Sequence, residues 1–346
     1  MAPADQTWRI VPLDGDYGLP GRRPRGEVDL AQHVHTAAVA GSSLSYLDYG
    51  DPGPDRLVFV LVHGLGGRWQ HWTESIPELA EHGRVIAVDL PGFGRSRPLP
   101  GGYSVDGFVD AIAELVTQLG LPKVVIVGHS LGGPLAVRLA SRHPDLVDAT
   151  ILAAGTVQAF AAVLGMQHPC HHWLRRPATV VATYFEVLTA GLPVPAFLRK
   201  QIIKRSILRR LVLWPYLHRP EALPSTSVAL LVDGAGARGV LPTARAAGRL
   251  RPGQWLAPVS CPMLAIGADH DAISTLRALA EFAESVPGAR AVVLEGTGHM
   301  LMLERASAFT AEVVSFAKQS TPTRQSRPTI GKDGHVPPAA TQPRHS

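Results

Sequence analysis

The chain has 346 residues, of which 46% are hydrophobic and 18% charged. That supply of apolar side chains supports a large core and excludes a wholly disordered polypeptide. Two cysteines, Cys170 and Cys261, exclude a disulfide framework and suit a reducing compartment. The first residues include acidic side chains and no apolar signal core, and no run reaches the ~18 apolar residues of a membrane span, so the expected location is cytoplasmic. The net charge of +5 is unevenly divided: −1 over residues 1–32, −7 over 33–156 with 257–318, +10 over 157–256, and +3 over 319–346.

In chain order, residues 1–32 are rich in Gly, Pro and charge and are predicted to wrap the surface or stay mobile. Val34–Tyr49 has two strand-like runs about Gly41–Ser42, which predicts an antiparallel hairpin at a sheet edge. Arg56–Val62, Arg84–Val88 and Lys123–Val127 are short continuous apolar runs, the pattern of strands buried on both faces. Val105, Phe108, Val109, Ile112, Leu115, Val116 and Leu119 recur at helical spacing within Tyr103–Leu119, with Ser104 as N-cap. A helix is predicted over Leu131–His143, stopped by Pro144, and a strand over Val147–Ala153. The alternation breaks near Gly155 and resumes near Pro258. The intervening Leu/Arg/Pro-rich segment, 157–256, reads as a helical cap inserted over the sheet. Within it Phe197–Trp214 reads as one helix that buries one side and snorkels its cations. Strands at Pro262–Gly267 and Ala291–Leu294 and helices at 275–286 and 306–318 complete the series. The tail, 319–346, is Pro/Ser/Thr-rich and predicted to be disordered. The fold class is α/β: a mainly parallel, doubly wound sheet formed by 33–156 and 257–318, with the inserted cap.

The chemistry concentrates at strand ends. Gly128-His129-Ser130-Leu131-Gly132 joins a strand to a helix, a G-x-S-x-G turn that exposes the Ser130 hydroxyl beside a helix N-terminus. A serine hydroxyl needs a base to act as nucleophile at neutral pH. His299, just after the strand ending at Leu294, is the candidate; His63, His71, His129 and His143 compete, and His129 is expected to point elsewhere on the turn. The base in turn needs a carboxylate, and either Asp269 or Asp271, after the strand ending at Gly267, can serve. His63-Gly64-Leu65-Gly66-Gly67 follows another strand. Its Leu65 N–H, with that of Leu131, can form an oxyanion hole. The run lacks the G-K-[ST] ending of a phosphate loop, so nucleotide binding is not expected.

Together HGLGG at 63–67, DLPGFGRS at 89–96, GHSLGG at 128–133 and GTGHMLMLE at 296–304 make the chain resemble the α/β-hydrolase superfamily with a helical cap, over about residues 33–318. The resemblance implies a Ser130–His299–Asp271 triad, since the interval from Asp271 to His299 is the one usual in that family. One departure is that Gly267 to Asp271 is one residue longer than the family's common G-x-x-D. Relatives with an Asp nucleophile, the haloalkane dehalogenases and epoxide hydrolases, are set apart by Ser130. The implied function is a serine hydrolase of carboxylic esters, esterase- or lipase-like. Acyl transfer or C–C bond hydrolysis on the same residues, and a non-catalytic ligand-binding protein, are the alternatives. No cofactor is called for. Gln167–His172 contains three histidines and Cys170 but no common zinc spacing, so no metal is expected. Without a nucleic-acid motif the basic segment does not imply nucleic acid. The expected partner is a small or lipid-like ester, and the basic cap is a candidate contact for an anionic membrane surface.

Overall fold

The computed structural model describes residues 8–21, 28–51, 53, 56–156, 177–249 and 259–321. The Gln167–His172 stretch, Cys170, both ends of the insertion and the tail past residue 321 lie outside the described residues.

Nine strands form one sheet: β1 (Arg9–Val11), β2 (Val34–Val39), β3 (Ser42–Tyr49), β4 (Leu57–Val62), β5 (Gly83–Val88), β6 (Val124–His129), β7 (Val147–Ala153), β8 (Met263–Ala268) and β9 (Arg290–Leu294). Their spatial order is β1-β9-β8-β7-β6-β4-β5-β3-β2. All neighbours are parallel except β2 with β3 and β3 with β5, so the predicted hairpin is present at one edge. Its turn is at Ala40–Gly41, one residue earlier than predicted, and both residues have positive φ.

The apolar runs are continuous because alternate residues feed two cores. Val58, Val60 and Val62 of β4, with Val124 and Ile126 of β6, face one side; Phe59 and Leu61, with Val125 and Val127, face the other. The first side is covered by α2 (Val105–Gln118), α3 (Gly132–Arg142) and α9 (Leu276–Ser285). The second is covered by α1 (Ile76–Ala80) and α11 (Ala306–Ser320), which contributes Phe309 and Val313. Helix α2 starts where predicted: the Ser104 hydroxyl accepts from Gly107 N at 3.0 Å. Between β7 and β8 the described chain is helical, with α4 (Pro177–Gly191), α5 (Ala196–Lys204), α6 (Ser206–Leu213), α7 (Ser225–Val232) and α8 (Val240–Gly248). A short α10 (Leu301–Glu304) precedes α11. Among the described residues no helix is long and apolar enough to cross a membrane.

Two expectations are corrected. The single helix over Phe197–Trp214 is two, α5 and α6, broken at Arg205, which takes an extended backbone. Its Arg209 does not snorkel. The guanidinium is buried and donates to the carbonyls of Ile203 and Leu223, tying α6 to the loop before α7. The N-terminal segment is not only a surface wrap: Arg9–Val11 adds a parallel strand beside β9. That strand is too short to hold itself, and Arg305 supplies the anchor. Its buried guanidinium donates to Val11 O and Glu295 O at 3.1 Å, to Pro12 O at 2.9 Å, and to Asp16 Oδ1 at 2.6 Å.

Replacing Arg305 with Ala leaves three backbone carbonyls without that donor, at about 1–3 kcal/mol for each one that stays buried. The expected outcome is a loss on the order of 3–5 kcal/mol in urea unfolding, with early hydrogen exchange at residues 9–11. Unchanged stability would show that β1 does not depend on this anchor.

Candidate functional site

The loops that follow β4, β6, β8 and β9 leave the same end of the sheet, because those four strands are parallel. The chain reverses its direction of growth between β4 and β6, and open α/β sheets form their crevice at such a switch point.

Only Ser130 and Leu131 separate β6 from α3. So tight a turn puts Ser130 at φ 52°, a left-handed conformation that a non-glycine residue adopts at a cost of about 1–3 kcal/mol. The neighbouring glycines permit it. A Cβ on Gly128 would lie 2.0 Å from Gly132 O, and one on Gly132 would lie 2.2 Å from Val62 O. The turn is locked by Ser130 N donating to Ala153 O and Gly133 N donating to Ser130 O, both at 2.9 Å.

His299 comes in from the β9 side. Its N–H and that of Met300 donate to Tyr216 O, at 3.0 and 3.1 Å. The buried Glu304 carboxylate gathers the same loop, accepting from Gly298 N, Met300 N, His218 N and the Tyr17 hydroxyl. Burial raises the Glu304 carboxyl to about 7, outweighing the downward pull of these donors. His299 Nδ1 donates to Asp271 Oδ2 at 2.8 Å, which leaves Nε2 with its lone pair free. Asp271 is fixed in turn, its Oδ1 accepting from Ile273 N and Ser274 N at 2.8 Å. Asp269 does different work: it accepts from Thr297 N and pairs with the half-exposed His270. The structure therefore brings Asp271, and not Asp269, to the His299 ring.

The other histidines divide by their hydrogen bonds. His63 uses both ring nitrogens, donating from Nδ1 to Gly64 O at 2.7 Å and accepting at Nε2 from Leu90 N at 2.9 Å. It pins the loop that carries Leu65, and burial lowers its pKa to about 4. Asp89 holds the adjoining segment through Trp69 N and Arg95 N. His143 lies beside Asp110 in the helical layer. His129 corrects the sequence expectation. It does not point away, but donates from Nε2 to His299 O at 2.9 Å, with ring centroids 4.9 Å apart. Burial, then the nearby His299 charge, hold it well below the ordinary imidazole range.

These loops face a mostly apolar cavity. Gly64, Leu65, His129, Ser130 and His299 line one side, and Glu186, Ala190, Val212, Tyr216 and Leu231 of the inserted segment line the other. Ser130 Oγ, His299 Nε2, His129 Nδ1 and His71 Nε2 are buried without a hydrogen-bond partner. The N–H groups of Leu65 and Leu131 also donate to no backbone carbonyl among the described residues. Buried polar groups are nearly always paired, so a cluster of unpaired ones around one cavity marks a place where a ligand atom can complete them. Burial would depress the His299 imidazole, but the charge and hydrogen bond of Asp271, with Glu186 and Glu304, outweigh it and hold it above the ordinary imidazole range. Such an imidazole accepts a proton readily from a neighbouring hydroxyl.

Three contributors were not identified from sequence. Glu186, on α4, is buried against the cavity and pushed up to about 7 by desolvation. Tyr216 holds the His299 loop through its carbonyl, a group that no side-chain pattern reveals. Glu304 did leave a signal: a carboxylate closing the apolar run Met300–Leu303 is one that burial must satisfy with donors.

Comparison with known proteins matches residues 58–306 to the family described as alpha/beta hydrolase fold. A dihydrolipoyllysine-residue acetyltransferase component of an acetoin cleaving system from Cupriavidus necator is 28% identical over 289 residues, 83% of this chain and 69% of the relative. Among solved structures, a thermophilic esterase from Thermogutta terrifontis superposes with a TM-score of 0.61 at 24% identity, covering 83% of this chain and 98% of that one. A meta-cleavage product hydrolase from Pseudomonas fluorescens IP01 gives a TM-score of 0.60 at 22% identity, covering 83% and 98%. At these identities the two structures speak for the fold alone.

The hydrogen bonds order the histidine titrations. In an NMR pH series His299 is expected to titrate above the ordinary 6.5, while His63 stays neutral down to about pH 4. Asp271→Asn removes the charge that raises His299 and should lower its midpoint; Asp269→Asn should not. The opposite ranking of the two variants would overturn the pairing described.

Proposed function

Because this chain belongs to the α/β-hydrolase-fold family, we propose that it is a serine hydrolase that cleaves a carboxylic ester or related acyl bond through an acyl-enzyme. One observation carries the reading. A serine hydroxyl on a strained strand–helix turn shares a cavity with a histidine whose far nitrogen is held by a buried carboxylate.

In the proposed reaction Ser130 Oγ attacks the substrate carbonyl carbon as its proton passes to His299 Nε2. The positive charge on the ring is balanced by Asp271, which stays ionised. The oxygen of the tetrahedral intermediate takes its hydrogen bonds from Leu65 N–H and Leu131 N–H; one such donor contributes about 3 kcal/mol in the transition state. The alcohol leaves with the proton from His299. Water then gives a proton to His299, attacks the acyl carbon, and releases the acid as Ser130 recovers its hydrogen. No cofactor or metal enters these steps.

In this reading the helices of the insertion, α4 to α8, act as a cap, and Val212, Leu213 and Leu231 supply apolar surface for an acyl chain. The acetyltransferase component that is similar over most of this chain favours a second reading, transfer of the acyl group from Ser130 to an acceptor other than water. The two share the acyl-enzyme and separate at its product, free acid or transferred acyl group.

A fluorophosphonate probe is expected to label Ser130 in the full chain. Ser130→Ala should abolish labelling and lower turnover of nitrophenyl esters on the order of 10⁴-fold or more. Near-normal turnover by that variant would sink the proposal.

The pH dependence follows from the sign of the His299 shift. His299 works as a base only when neutral, and its pKa is raised. The rate should therefore rise with pH through a midpoint above 6.5 and be lost below it. Asp271→Asn should reduce the rate on the order of 10⁴-fold and move the midpoint down, whereas Asp269→Asn keeps most of the rate. A flat profile at saturating substrate with chemistry rate-limiting would count against a histidine base.

A further inference from the structure

The inserted helices have two working faces. The inner face of α4 and α6 lines the cavity, through Glu186 and Ala190 on one helix and Val212 on the other. The outer face is apolar. Of the twelve exposed large apolar side chains among the described residues, nine lie between residues 181 and 214. Val181, Tyr184 and Leu188 recur at helical spacing along α4; Ile207, Leu211 and Trp214 do so along α6 and its end. Ile207 and Leu211 are 70% and 65% exposed. The half-buried Phe185, next to Tyr184 on α4, packs against Trp214 with ring centroids 6.3 Å apart and links the two stripes. A contiguous exposed apolar surface of this kind marks an interaction site.

Its charge names the partner. Lys200, Lys204, Arg205 and Arg210 are exposed around the stripes, and none makes an ion pair with a described acid. Arg199 by contrast is paired with Asp233. Between residues 177 and 220 the one acidic residue is Glu186, and it is buried toward the cavity. The outer face thus combines apolar side chains with cations and carries no exposed carboxylate. Cations flanking an apolar ridge suit anionic headgroups over acyl chains.

We infer that the outer face of α4 and α6 docks on an anionic lipid bilayer, with Ile207, Leu211 and Trp214 at the headgroup boundary and Lys204, Arg205 and Arg210 on the lipid phosphates and carboxylates. The backs of the docked helices form the wall of the cavity. The surface would therefore sit one helix thickness from Ser130. Docking is independent of the chemistry proposed for Ser130, and Ser130→Ala should bind bilayers like the parent chain.

The test is co-sedimentation of the full chain with phosphatidylcholine vesicles, with and without phosphatidylserine, across a salt series. Binding is expected to the anionic vesicles at low salt and to weaken as salt rises. Two variants separate the contributions: Ile207→Ser with Leu211→Ser removes the ridge, and Lys204→Glu with Arg205→Glu reverses charge at its edge. Each should reduce the partition coefficient by roughly tenfold or more, while Leu19→Ser, an exposed apolar residue elsewhere, leaves it unchanged. Thermal unfolding of each variant checks that it is folded, and the charge variant carries the test if the serine variant is not. No sedimentation, or equal binding to neutral vesicles, overturns the inference. So does a concentration-dependent dimer that the serine variant abolishes, because the face would then pair with a second copy of the chain.

Discussion

The backbone crowding at Ser130 is the constraint on which the site depends. A strand and a helix joined by two residues force the serine into left-handed φ, and Gly128 and Gly132 permit the close approach because neither carries a Cβ, for which the neighbouring backbone leaves no room. That strain is held by the sheet. Ser130 N is bonded to Ala153 O, at the end of β7, while β6 pairs with β4 and β7 on either side. Two cores clamp those three strands from both faces, so the turn cannot relax without loss of apolar burial far larger than the strain itself.

A ring of buried polar groups holds the remaining loops to this turn. His63 ties the loop of Leu65 to Leu90 through its two nitrogens, Asp89 gathers the segment after β5, and Glu304 collects the loop of His299. Each side chain would be costly in an apolar interior without its donors or acceptors, and each is satisfied by backbone groups that loops otherwise leave unpaired. Four polar atoms that stay unpaired, Ser130 Oγ, His299 Nε2, His129 Nδ1 and His71 Nε2, belong to residues that line the cavity. The polar economy of the loops thus ends at the place where a substrate would enter. His129 adds a tie between the two sides, because its Nε2–H reaches the carbonyl of His299.

The inserted helices bring a carboxyl of a different kind. Glu186 has no neighbouring cation other than a protonated His299, and its desolvation lifts it to about 7. Near neutrality it is shared between a form that donates a hydrogen bond into the cavity and one that strengthens the field on His299. It also leaves the outer face of α4 free of negative charge, so the same placement shapes both the cavity wall and the exposed surface.

Local sequence carried the parts of the protein whose cause is local. Short apolar runs of two-sided strands, Ser104 as a helix cap and the glycines around Ser130 all report on backbone within a few residues, and the strand ends locate Ser130 and His299 at one end of the sheet. Sequence also placed two aspartates there, and only the folded chain decided that Asp271 meets His299 while Asp269 turns to Thr297 and His270. The strand Arg9–Val11 was illegible because three residues have no pattern of their own; they are ordered by Arg305, nearly three hundred positions away. Glu186 and the carbonyl of Tyr216 reach the site from a segment whose position over the sheet no periodicity encodes. The apolar stripes of α4 and α6 show the same limit from the other side. Periodicity reveals that a helix has an apolar face, but whether that face meets a core or solvent is set by which neighbours already fill the core, and that is a property of the tertiary structure.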